Sequence, residues 1–206
     1  MELWDAVAGE RRALADLLEA LTPEQLATRS LCEAWTVRDV AAHLVAALDV
    51  SLPSFTWTVV TCGGDMHKAS RRVTAQIAAR PIDDLAATLR RRAGYRAPLR
   101  RPEGPLADLL IHSQDIRRPL GLSRRFAKED ITAVLRFLTE QRTVGFAVKG
   151  AVGGLAWAAA DLDWSYGSGP AVRGPAEALM MVITGRTVAL ADLEGEGVPV
   201  LRDRLS

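Results

Sequence analysis

The chain has 206 residues, 49% of them apolar and 25% charged, which is enough to bury a core without disulfide or metal staples and is not the balance of a disordered chain. Twenty-six basic residues face 25 acidic ones, a net charge of +1, so no basic field exists to hold a nucleic acid. The longest charge-free run lies between Asp49 and Asp65, is broken by Pro53 and is too short to span a bilayer.

Leu3, Val7, Leu14, Leu17, Leu18 and Leu21 recur at helical spacing, and Thr22-Pro23 ends that helix. A second helix starts at Thr36, where Asp39 stands in for the usual Glu of a capping box. Its apolar face is Val37, Val40, Ala41, Leu44, Ala47 and Leu48. The stretch holding Phe55, Trp57 and Val59 is poorly patterned, and these three are expected in the core. Helices follow over Asp65–Ala79, after Pro81 through Ile82, Leu85 and Leu89, over Leu106–Arg118, and over Asp130–Arg142. The three prolines between Arg96 and Pro105 mark a loop, and Pro119 and Gly121 close the Leu106 helix. After about Val144 the pattern changes. Leu155–Ala160, Leu162–Tyr166 and Ala171–Arg173 read as short strands, and Pro175 opens a last helix, Ala176–Thr184. The expected organisation is a helical bundle over 1–145 and a small α+β part over 146–206.

Three histidines are present, His43, His67 and His112. Asp108 and His112 are four apart, so they share one helix face, with Asp115 three residues further on. His43 lies at the edge of the apolar face of the second helix. A carboxylate and an imidazole at i, i+4 plus an imidazole from a facing helix would suit zinc and leave a coordination position open. A plain surface pair reads equally from the same spacing, which does not show that the two helices face each other. His67 reads as a solvated or capping residue. Cys32 and Cys62 lack CxxC spacing and a neighbouring His, and each reads as a buried inert thiol. Few cysteines and an acidic start (Glu2, Asp5) where a signal peptide would be basic point to the cytoplasm. No P-loop or GxSxG elbow is present, and Gly150–Gly154 does not fit a dinucleotide loop.

The stretch Ser30-Leu31-Cys32-Glu33-Ala34-Trp35-Thr36-Val37-Arg38-Asp39-Val40-Ala41-Ala42-His43-Leu44 resembles the N-terminal signature of the mycothiol-dependent maleylpyruvate isomerase family, within the DinB/YfiT-like metalloprotein superfamily. The segment Asp108 to Gly121 is similar to its second signature. Ala160–Trp164, Gly167–Pro170, Arg173–Ala176 and Gly185-Arg186 resemble its C-terminal region. The resemblance implies a mainly α protein, a DinB-like four-helix bundle with a small α+β C-terminal part. It implies metal ligands at His43, Asp108 and His112, with Asp108 departing from the Glu of the namesake isomerases. It also implies a divalent metal, expected to be zinc, and mycothiol as the activated thiol, with a small electrophile as substrate. The reaction would be isomerisation or S-transfer, or hydrolysis if water took the thiol's place.

Arginine in place of lysine (only Lys68, Lys128 and Lys149 are lysines) fits an actinobacterial host that makes this thiol. Arg173 and Arg186 are weak candidates to hold an anionic substrate, as are Arg117 and Arg118. Asp115 and Asp39 are candidates to orient the imidazoles, or are simple helix surface. The runs Arg90–Arg92 and Arg100-Arg101 read as solvated helix and loop surface. Two alternatives stand beside the enzyme: a non-catalytic metal- or ligand-binding module, and a metal-free helical interaction protein.

Overall fold

A computed structural model describes residues 2–32, 35–96, 101–141 and 145–206. Glu33, Ala34, Arg100, Arg142 and Val144 lie outside the described residues. The chain forms two compact units, Met1–Arg124 and Arg125–Ser206.

The first unit is helical. Helix α1 (Leu3–Ala20) buries Val7, Leu14, Leu17 and Leu18, the stripe read from the sequence. A four-residue turn, α2 (Pro23–Leu26), follows under a capping box of Thr22 and Gln25. Helix α3 (Val37–Asp49) starts as expected: Thr36 Oγ1 accepts from the Asp39 N–H while Asp39 Oδ2 accepts from the Thr36 N–H at 2.9 Å. Asp39 is thereby committed to the helix start. Five of its six expected apolar positions, Val37, Val40, Ala41, Leu44 and Leu48, are buried, while Ala47 is exposed. Helices α4 (Leu52–Thr61), α5 (Met66–Ala78), α6 (Ile82–Arg91) and α7 (Glu103–Arg117) complete the unit. Helices α1, α6, α3 and α7 close into a ring, each packed on the next, with α5 on the outside of α3 and α4 on α5. This is the four-helix bundle expected of the sequence.

Helix α4 departs from the sequence reading. It forms where Pro53 was read as a break, because a proline in the first turn sacrifices no hydrogen bond and Ser51 caps the start. Nor do its side chains join the core. Trp57 is 70% exposed, Phe55 and Val59 are half-buried, and no residue of this helix is buried. Among the described residues no helix is long and apolar enough to cross a membrane.

Arginines tie the bundle together. Arg11 on α1 is 5% exposed and donates to the carbonyls of Arg92, Ala93 and Tyr95 just past the end of α6. Burial lowers its guanidinium pKa to about 10. Arg90 on α6 reaches back to Asp16 and Glu19 of α1. Helix α7 ends on Gly121 (φ 67°), whose left-handed turn lets the Leu122 N–H donate to the Arg117 carbonyl.

The second unit begins with α8 (Lys128–Glu140), whose Ile131, Val134, Leu135 and Leu138 stripe is buried. Sequence reading assigned this helix to the bundle, with a boundary at 145. It packs instead on α9 (Ala176–Ile183), and the compact units divide at Arg124/Arg125. Three strands, β1 (Ala156–Ala159), β2 (Ser165–Tyr166) and β3 (Ala171–Gly174), form a sheet of order β2-β1-β3. Strand β1 pairs antiparallel with β2 and parallel with β3, with Trp157 opposite both Tyr166 and Val172. A 3-10 turn over Thr187–Asp192 and helix α10 (Gly197–Leu205) end the unit. The mainly α class with a small α+β C-terminal part is thus what the chain adopts.

Candidate metal centre

The i, i+4 spacing on α7 puts Asp108 and His112 one above the other, and α7 lies against α3, which carries His43. One ligand atom each from His43, Asp108 and His112 lie within 4.8 Å of one another. All three residues are half-buried. The two imidazoles meet with ring centroids 5.1 Å apart at 78°, and Trp35 sits 5.0 Å from the His43 ring.

Separations decide what this cluster is suited to hold. His112 Nε2 and Asp108 Oδ1 are 3.4 Å apart. That is long for an N–H···O hydrogen bond, whose usual range is about 2.7–3.2 Å. It is the spacing of two ligands bonded at about 2.0–2.1 Å to one tetrahedral ion, which is about 3.3 Å. The donor set of two imidazoles and a carboxylate is chemically right for zinc, so the residues present fit the group.

The other nitrogen of His112 faces a different pair. His112 Nδ1 donates to Asp115 Oδ2 at 2.8 Å, and the Cys32 thiol donates to the same oxygen at 3.0 Å. Cys32 Sγ is 3.6 Å from Nδ1 itself. Asp115 is fully buried. Cys32, His112 and Asp115 also bring a ligand atom each within 4.8 Å. Their 2.8 and 3.0 Å separations, however, are hydrogen-bond distances. The Nε2 side thus has the spacing of metal ligands, and the Nδ1 side the spacing of hydrogen bonds.

Electrostatics differ for the two imidazoles. Burial lowers the pKa of His43, against the pull of Asp108. For His112 burial works in the same direction but is outweighed by the neighbouring Asp108 and Asp115 carboxylates and Cys32, so its pKa stands well above the ordinary value.

The structure brings together His43, Asp108 and His112, and adds Asp115 to His112. It does not bring Asp39 to an imidazole in this way, since that carboxylate caps α3. Cys32 corrects the sequence reading: it is half-buried and beside a histidine eighty residues away, not an isolated buried thiol. Only the i, i+3 relation of Asp115 to His112 signalled that face, and no local spacing signalled the sulfur. Cys62 is buried and His67 exposed, both as expected. Arg117 donates to Ser113 Oγ at 3.1 Å, and burial lowers its pKa. Arg118 follows it as the half-buried cap of α7. Arg173 and Arg186 lie in the second unit, Arg173 exposed on β3 and Arg186 donating to the Thr184 carbonyl at 2.7 Å.

Residues 7–102 match the family model for the mycothiol maleylpyruvate isomerase N-terminal domain. Among solved structures, a crystal structure of the mycothiol-dependent maleylpyruvate isomerase aligns at 17% identity over 95% of both chains, with a TM-score of 0.48. That of a histidine-to-alanine mutant of the enzyme aligns at 17% identity over the same shares, with a TM-score of 0.47. No curated protein matches the chain.

Proposed function

We propose, from the match of residues 7–102 to the model of the mycothiol maleylpyruvate isomerase N-terminal domain, a metal-dependent enzyme of the thiol-using isomerase or S-transferase type. His43, Asp108 and His112 hold one divalent ion, zinc by its donor set, and mycothiol is the thiol. The observation that carries this reading is the convergence of those three donors within 4.8 Å from two different helices.

A divalent ion held there by three protein ligands supplies an open position that lowers the pKa of a thiol placed against it. The rest is done by the chain. Asp115 takes the Nδ1–H of His112, which leaves Nε2 on the side of Asp108. Burial keeps His43 neutral, so a lone pair is available on its ring. The Trp35 indole lies against that ring and restricts its rotation.

Elemental analysis of protein purified without added metal tests the reading. About one zinc per chain is expected, lost on chelation and absent from His43→Ala and His112→Ala. Calorimetric titration with mycothiol should then give binding to the metal-loaded protein only. Metal without turnover for any thiol and electrophile pair would make the protein a non-catalytic binding module, and no metal at all would overturn both readings.

A further inference from the structure

We propose that Cys32 is a positioning residue for the metal-binding imidazole, its thiol holding the Asp115 carboxylate against His112. The proposal rests on the metal reading above and adds a residue to it. A fully buried carboxylate must find donors or pay a large desolvation cost. Asp115 Oδ2 accepts from the His112 Nδ1–H at 2.8 Å and from the Cys32 S–H at 3.0 Å. The sulfur and the ring nitrogen approach that one oxygen side by side, 3.6 Å apart, so the thiol fixes where the oxygen sits and thereby which way the ring turns.

The backbone shows that the sulfur is placed there by construction. The Leu31 N–H donates to the Asp115 carbonyl at 3.2 Å, pinning the segment before α3 to α7. Ser30 Oγ accepts from the Cys32 N–H at 3.1 Å and donates to the Trp35 carbonyl at 2.9 Å. The Trp35 N–H donates to the Cys32 carbonyl at 3.1 Å. Cys32 is therefore tied in place through Leu31 before it and Trp35 after it. The competing role, sulfur as a metal ligand, would need His112 to use Nδ1. That nitrogen already stands at hydrogen-bond distance from Asp115, while Nε2 stands at ligand spacing from Asp108.

The test compares wild type, Cys32→Ala and Cys32→Ser in the full chain. In metal-free protein, proton NMR of the His112 Nδ1–H should show a protected downfield signal in wild type and Cys32→Ser. In Cys32→Ala it should exchange faster. Zinc affinity by chelator competition should fall about tenfold in Cys32→Ala and return in Cys32→Ser, whose hydroxyl also donates. An unchanged Nδ1–H signal in Cys32→Ala overturns the proposal, as does failure of Cys32→Ser to restore. In cobalt-substituted wild type, a thiolate charge-transfer band absent from Cys32→Ala also overturns it, making the sulfur a ligand. If the wild type takes up no metal, the metal reading fails and the NMR arm alone decides the role of Cys32.

Discussion

His43 and His112, 69 positions apart in sequence, meet edge to face with ring centroids 5.1 Å apart. Two imidazoles at this distance, with Asp108 beside them, are the donors proposed above to hold a divalent ion. The consequences are open to measurement.

Metal uptake should release protons. The neighbouring Asp108 and Asp115 carboxylates and Cys32 outweigh its burial and raise its pKa well above the ordinary histidine value, which favours the protonated ring in the metal-free protein. A divalent ion must displace that proton from Nε2. Apparent zinc affinity should therefore rise with pH, by up to about tenfold per pH unit while His112 stays protonated. Calorimetry in buffers of different ionisation enthalpy should count about one proton released per ion. Uptake without proton release would show that His112 is already neutral.

In chelator-treated protein the same group makes stability pH-dependent. A folded pKa above the unfolded one contributes stability that is fully present below the ordinary histidine value and lost as pH rises through the raised value. His43, whose pKa is lowered by burial, works the other way, weakening the fold as pH falls through its unfolded value. Urea titrations of the metal-free protein from mildly acidic to mildly alkaline pH should show a decline on the alkaline side. That decline should vanish in His112→Gln.

Lengthening the acidic ligand should weaken the site. Asp108 Oδ1 already stands 3.4 Å from His112 Nε2, the spacing of two ligands of one ion. Asp108→Glu would carry the carboxylate one methylene too far, and zinc affinity should drop by about tenfold or more. Chelator competition measures this directly. A tighter Asp108→Glu site would mean that the aspartate falls short of the metal.

These residues were legible to different degrees. Asp108 and His112 announce themselves by i, i+4 spacing, and His43 by its place on a capped amphipathic helix. That their helices touch needed the packing of α3 on α7. Cys32 was illegible because its partners are eighty or more residues away and no short-range pattern encodes that meeting. The α4 helix was missed because its fifteen-residue charge-free setting, Val50 to Gly64, offers no polar face to reveal a period. Helices α8 and α9 were both legible, but not that they pack on each other, since a buried stripe says that a helix packs and not on what.

Away from the metal centre, Arg11→Ala should cost about 2–4 kcal/mol of stability. It strips the guanidinium donor from the carbonyls of Arg92, Ala93 and Tyr95, and Arg11 is nearly inaccessible to replacement water. Denaturant unfolding gives the loss. A stability within 0.5 kcal/mol of wild type, about the size of an ordinary surface change, would show that water takes over the three carbonyls.

The start of α3 has a rotational consequence. Thr36 and Asp39 fix where its first turn begins, and His43 follows within two turns. At 3.6 residues per turn, one residue inserted between Asp39 and His43 would swing the imidazole by about 100° around the rod. The bundle would keep its rods, yet its nitrogen would aim at another neighbour. Angular phase, set by a threonine and an aspartate that never touch the cation, is thus as much a determinant of the centre as the histidine it delivers.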